Sequence, residues 1–163
     1  MIVVSDTSPI NYLLLIGESE VLPRLFGEVY APPEVIAELC HLRTPEVVRR
    51  WAQQPPAWMR VVKAREALEC PARLGPGEAS AMALAKELNA DWLLMDERDG
   101  TKFAAAQGLR VLGTLTVLEQ AARMDLLQLP EALRKLQNTS FRVSLQLIRA
   151  ALERDVARRK PAT

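Results

Sequence analysis

The sequence predicts an α/β fold built on a mostly parallel central sheet, and three observations carry that expectation. Short β-branched or apolar runs at residues 2–5, 28–31, 92–95 and 110–112 alternate with segments of helical pattern from residue 2 to residue 124. The last forty or so residues read as helical, with no further strand. The 163 residues contain no internal repeat, low-complexity tract or interdomain linker, so one domain with one sizeable core is expected.

The elements follow in order. The run ending at Ser5 reads as a buried strand, with Asp6 directly after it. Ser8 and Pro9 fit an N-cap and first helical position, opening a helix to Leu15 that Gly17 closes. A short helix over 20–26 ends at Gly27, and residues 28–31 form the second strand. Pro32 and Pro33 stop it and launch a helix over 34–41. Thr44 and Pro45 start another that runs to Gln54. Residues 60–63 are a third strand and 64–75 a loop. Pro76 and Gly77 open the clearest helix, with Ala79, Met82, Ala83 and Leu84 on one side and Asn89 at its end. The 92–95 strand runs straight into Asp96. A helix over 100–107 ends at Gly108, the 110–112 strand follows, and helices cover 114–124, 130–136 and 144–159.

Composition excludes several classes of function. With 49% hydrophobic and 25% charged residues the chain is not disordered, and no apolar run approaches the roughly 18 residues that span a bilayer. The first residues carry no basic region ahead of an apolar stretch, so no signal peptide is expected and the cytoplasm is the expected location. Cys40 and Cys70 lack C-x-x-C spacing and imply neither a disulfide framework nor a zinc site. The formal charge is +1, from 21 basic and 20 acidic side chains, which excludes a general polycation but not a local basic patch. His41 is the single histidine, and no G-x-S-x-G elbow exists.

Six aspartates stand against fourteen glutamates, and where the aspartates fall is informative. Ligands of an open parallel sheet bind outside the carboxyl ends of the strands. Asp6 and Asp96 each follow a predicted strand, with Glu97 and Asp99 beside the second. Glu78 sits in the first turn of the helix leading to that strand, and Glu38 one turn inside the helix after Pro33. Each acid has an ordinary alternative: capping for Asp6, the helix dipole for Glu78, solvent for Glu38, a polar turn for Asp96 and Asp99. Taken together, carboxylates gathered without equal cationic cover repel one another, and such a cluster persists when a divalent cation neutralises it. An all-oxygen donor set favours Mg²⁺ or Mn²⁺ over zinc, and such ions are the usual partners of phosphate chemistry. No glycine-rich phosphate loop of the G-x-x-x-x-G-K-S/T or G-x-G-x-x-G type is present. An aspartyl-phosphate phosphatase needs a second aspartate two residues after Asp6, where Ser8 stands.

Ser5-Asp6-Thr7-Ser8-Pro9 at the end of the first strand resembles the opening D-T-S motif of the PIN-domain nucleases. The resemblance continues through Val35–Leu39 around Glu38, Gly77-Glu78-Ala79 at a helix start, and Leu93-Leu94-Met95-Asp96-Glu97-Arg98 after a strand. The branch it is most similar to is the VapC-like one with a G-E-A motif and a helical tail. The resemblance implies a three-layer α/β/α PIN-like domain over residues 1–125, with 126–163 a helical extension of the same domain. It also implies a Mg²⁺- or Mn²⁺-dependent endoribonuclease, commonly the toxin of a type II toxin–antitoxin pair, held by a cognate antitoxin and usually a homodimer. Carried over residue by residue, Asp6, Glu38, Glu78 and Asp96 form the catalytic acids. Asp6 and Asp96 bind metal most directly, and Glu78 and Glu38 hold it through water or orient the attacking water; the last motif can also be registered on Glu97, with Asp99 three residues beyond Asp96 a further candidate ligand. A catalytically inactive PIN-like protein that binds protein or RNA is the alternative reading.

An RNA substrate needs phosphate contacts, and sixteen of the 21 basic residues are arginine. Arg98 and Lys102 flank Asp96 and are the expected substrate contacts, with the hydroxyls of Thr7 and Ser8 beside Asp6. Arg154, Arg158, Arg159 and Lys160 read as a solvated or frayed helix end, and Trp51 and Trp58 as core packing or base-stacking surfaces. The leucines of 12–16 and 126–136 read as core, or as a dimer seam or an antitoxin groove.

Overall fold

The computed structural model describes residues 1–162. Five strands, β1 (Val3–Ser5), β2 (Val29–Ala31), β3 (Met59–Val61), β4 (Trp92–Leu94) and β5 (Val111–Leu112), form one sheet in the order β3-β2-β1-β4-β5. Every pairing is parallel. The sheet is therefore wholly parallel, because each strand is reached by a helical crossover and none by a hairpin. Val3, Val4, Leu93 and Leu94 are essentially inaccessible, as expected for central strands covered on both faces.

Helices α1 (Thr7–Leu15), α2 (Val21–Phe26), α3 (Pro33–Leu39) and α4 (Glu46–Gln53) lie between the first three strands in sequence, and α5 (Pro76–Glu87) and α6 (Arg98–Ala106) between the later ones. They complete a three-layer α/β/α arrangement in which α5 packs on β1 and β4, α2 on β2 and α6 on β5. The chain closes with α7 (Thr114–Arg123), α8 (Leu129–Gln137) and α9 (Leu145–Arg159), which pack on one another, with α7 also touching α1 and α2. No helix among the described residues is long and apolar enough to cross a membrane.

Two helix starts differ by more than one residue from the sequence expectation. The first helix begins at Thr7 with Asp6, not Ser8, as its N-cap, so Pro9 falls within the first turn. Proline is tolerated there because first-turn amides have no intrahelical acceptor. The helix expected from Gly100 begins at Arg98, with Glu97 as N-cap, placing Gly100 inside the first turn for a packing reason described below. The third strand is real but lies at the sheet edge, shifted back by one residue to Met59 and ending at Val61; Arg60 and Val61 are exposed.

The C-terminal arginines are also not a frayed end. Arg154 grips Glu119 of α7 through two hydrogen bonds of 2.8 and 3.1 Å. Asp155, only 6% exposed, accepts from Arg158 at 3.1 Å and Arg159 at 3.0 Å. A buried carboxylate with two guanidinium partners is satisfied rather than stranded, and the Arg154–Glu119 fork ties α9 to α7. Most of the leucine-rich runs are core: Leu13, Leu14, Leu127, Leu129, Leu133 and Leu136 are buried. Trp51 and Trp58 lean on each other with ring centroids 5.8 Å apart and pack against the core, so packing is their role here.

Candidate active site at the strand ends

In sequence β1 is followed by β2 on one side of it, but its other neighbour is β4, so the crossovers diverge between β1 and β4. That is the switch point of the sheet, where a crevice opens beyond the carboxyl ends of the strands. Ser5 pairs with Leu94 in register, and the Asp6 amide donates to the Leu94 carbonyl at 2.9 Å. Asp6 and Asp96 consequently emerge side by side, one residue beyond β1 and two beyond β4. Their placement is a direct result of the pairing register.

Asp6 is 4% exposed, and its Oδ1 is buried without a hydrogen-bond partner. Burial pushes its carboxyl up to about 7; the Thr7 amide pulls the other way, while the charges of Glu78, Glu38 and Asp96 raise it further. Asp96 is better supplied. Its Oδ1 accepts the Thr114 amide and its Oδ2 the Thr114 hydroxyl, both at 2.7 Å. Burial still raises its carboxyl above the ordinary range, and the two Thr114 bonds oppose the shift. Glu38, near the end of α3, accepts the Gly77 amide at 2.9 Å and the Thr7 hydroxyl. Glu78, in the first turn of α5, has a buried Oε2 with no partner. Its carboxyl is raised chiefly by burial, and additionally by Glu97, Glu38 and Asp99, against the Gly75 amide.

The structure thus brings Asp6, Glu38, Glu78 and Asp96 into one electrostatic neighbourhood. Asp99 stands apart: it is exposed on α6 and ion-paired with Arg73 at 3.5 Å, though its field reaches Glu78. Thr7 serves Glu38, so its hydroxyl faces the acids. Ser8 lines a small cleft of about 290 Å³ that also contains Asp96. Arg98 is exposed on a larger cleft that includes Asp96, whereas Lys102, one turn further along α6, is exposed and is not on the wall of that cleft.

Thr114 is not singled out by the sequence, and Gly77 and Gly100 are read there only as helix starts, not as residues that build the site. Thr114 is fully buried and holds Asp96 from 18 positions away. Gly77 and Gly100 are small because carboxylates lie against them. A Cβ on Gly77 would stand 2.5 Å from Glu38 Oε2, and one on Gly100 would stand 2.6 Å from Glu78 Oε2 and 2.9 Å from the Met95 sulfur. The visible signals were Gly113-Thr114 between a strand and a helix, and a glycine immediately before Glu78. Thr114→Val is expected to remove the hydroxyl donor while keeping shape and amide, destabilising the protein by about 2 kcal/mol, the usual loss for a hydrogen bond to a charged group. Urea denaturation checks this, and an unchanged midpoint would contradict it.

The donor chemistry fits a hard divalent cation. Asp6 Oδ1 and Glu78 Oε2 are buried oxygens lacking donors, and the four acids offer oxygen donors only. Among the described residues no three His, Cys, Asp or Glu side chains close into a ready metal cage. An ion would therefore be held by one or two carboxylates, completed by water and substrate oxygens, as Mg²⁺ commonly is.

The fold is a wholly parallel α/β sheet with four acids gathered at its switch point. The chain belongs to the PIN-domain family: residues 2–156 match the DUF3368 family, described as a PIN domain. PIN domains are generally nucleases and typically bind divalent metals. A PilT N-terminus domain protein from the hyperthermophilic archaeon Sulfolobus solfataricus has a similar structure. It shows a TM-score of 0.55 and 16% identity, with 74% of this chain and 93% of that chain covered, a likeness that shows the fold. No curated protein matches the sequence.

Proposed function

We propose that this PIN-domain protein is a Mg²⁺- or Mn²⁺-dependent endoribonuclease of the VapC-like branch, acting as the toxin of a type II toxin–antitoxin pair. The observation that carries the nuclease reading is the buried Asp6 carboxylate, with one oxygen unpartnered, beside Asp96, Glu38 and Glu78 at the switch point. The metal, when bound, supplies charge neutralisation at a phosphodiester and a more acidic water. Asp6 and Asp96 are the residues that would hold it, Asp96 being fixed for the task by Thr114. Glu78 has the free buried oxygen suited to orienting a water, and Glu38 is anchored by Gly77 and Thr7 so that its charge stays near Asp6. The toxin role, the antitoxin partner and a homodimeric state rest on the sequence resemblance. So does the treatment of residues 1–125 as the nuclease unit with 126–163 its extension.

The test is cleavage of a mixed-sequence single-stranded RNA by the purified protein with Mg²⁺, with Mn²⁺ and with chelator. Internal cleavage that needs metal and is lost in Asp96→Asn is the expected result. Metal-independent cleavage, or full activity in Asp96→Asn, would sink the reading. The second reading, an inactive PIN-like binding module, draws on the lack of a ready three-acid cage among the described residues. It predicts RNA or protein binding that is indifferent to metal and to removal of the acids.

A further inference from the structure

Resting on that ribonuclease reading, we propose that residues 140–147, the turn after α8 and the first turn of α9, form one wall of the RNA-binding cleft, with Arg142 gripping a backbone phosphate next to the acid pocket. Two clefts meet at Asp96. The smaller joins it to Ser8, Tyr12 and Phe141, and the larger, an open cleft of about 940 Å³, runs from Arg98 past Leu115 to Val143 and Leu147. Arg142 lines both clefts, as Asp96 does.

Charge decides what the clefts can accept. Arg154 also borders the larger cleft, but Glu119 neutralises it through a bidentate pair. Among the described residues neither Arg98 nor Arg142 has an ion-pair partner, and both are exposed. Two uncompensated guanidiniums flanking a group of carboxylates are what an anionic strand needs to approach acids that would otherwise repel it. The apolar wall of Leu115, Val143 and Leu147, together with Phe141, offers surface for unstacked bases, which single-stranded RNA presents and a duplex does not.

The wall is held in place before any ligand arrives. The Tyr12 and Ser140 hydroxyls are hydrogen-bonded at 3.0 Å, and Phe141 meets the Tyr12 ring edge-on with centroids 4.9 Å apart. The Phe141 amide donates to the Thr139 hydroxyl at 3.1 Å, and Ser144 caps α9 by accepting the Leu147 amide. Arg142 therefore projects from a turn fixed on both sides, which reduces the ordering needed on binding.

The experiment is fluorescence anisotropy of a labelled single-stranded RNA oligonucleotide of mixed sequence, titrated with full-length protein carrying Asp6→Asn across a range of salt concentrations. Parent cleavage is assayed in parallel. Adding Arg142→Ala is expected to weaken binding about tenfold and to reduce the slope of log affinity against log salt by about one phosphate contact. Arg142→Lys keeps the salt slope but loses part of the affinity, since lysine lacks the bidentate fork. Arg110→Ala, at the opposite end of β5, leaves both unchanged. If Arg142→Ala binds RNA as its parent does, the cleft is overturned while any cleavage by the parent keeps the ribonuclease reading. If binding depends on Arg142 but the parent never cleaves, the cleft stands and the ribonuclease reading falls. A parent that neither binds nor cleaves RNA overturns both.

Discussion

Asp6→Asn is expected to stabilise the metal-free protein at about pH 8 while abolishing metal-dependent cleavage. The Asp6 carboxyl rises from 3.8 to about 7 in the folded protein. Between those values the folded state holds a proton that the unfolded state has released, so stability falls as pH rises through this window. Below about pH 4 both states are neutral at this position and the residue contributes nothing. Above about pH 7 the penalty is complete, on the order of 4 kcal/mol for a shift of this size. Asparagine keeps the shape and removes the charge, so the variant's advantage over the parent should be absent near pH 4 and largest near pH 8. Urea denaturation of both proteins in chelator at a series of pH values measures it. A parent that is more stable than the variant at about pH 8 would overturn the picture of Asp6 as a strained, buried anion. Added Mg²⁺ should narrow the gap by stabilising only the parent, because a ligand that binds the folded state alone shifts folding toward it.

Gly77→Ala is expected to cost more function than a single methyl group suggests. Its Cβ would lie 2.5 to 2.7 Å from the three carboxyl atoms of Glu38, so that carboxylate has to leave its place. Leaving breaks the bonds from the Gly77 amide and the Thr7 hydroxyl, and the displaced charge no longer faces Asp6 in the same way. Overpacking of this kind destabilises by about 1–3 kcal/mol. Loss of the contacts that orient a ligating group typically lowers metal affinity about 10–100-fold. Calorimetric titration with Mn²⁺ separates the two effects, since stability is read independently from denaturation. Unchanged metal affinity in a folded Gly77→Ala protein would show that Glu38 plays no part in holding the ion.

The sequence made the strands and their terminal aspartates readable because both signals are local. Val3 and Val4 lie in a short β-branched run, and Asp6 and Asp96 are conspicuous as acids at the ends of such runs. The alternation of strand and helix was enough to expect a parallel sheet, though not its order. What escaped reading depends on contacts between distant parts of the chain. Thr114 meets Asp96 across 18 residues, Gly77 meets Glu38 across 39, and the Ser140 segment reaches Tyr12 across 128. The sequence pattern places a helix start at about Gly100. That glycine lies inside α6 because Glu78 and Met95 occupy the space of its missing side chain. Arg154 escapes reading for a related reason: its partner Glu119 lies 35 residues away.

The parallel pairing of β1 with β4 has a consequence for biosynthesis. Val3 takes Trp92 as its partner, and Asp96 gains its anchor only when Thr114 is present. Contacts of such long sequence separation slow folding, because the intervening chain must be brought to a closed loop before the pairing is rewarded. During synthesis, an emerging chain that has not reached Trp92 has only β2 to pair with β1, with neither Asp96 in place nor a crevice between β1 and β4 for Asp6 to face. The acid pocket is thus a late product of folding. A chain interrupted before residue 114 carries all four acids but lacks the amide and hydroxyl that hold Asp96 in place.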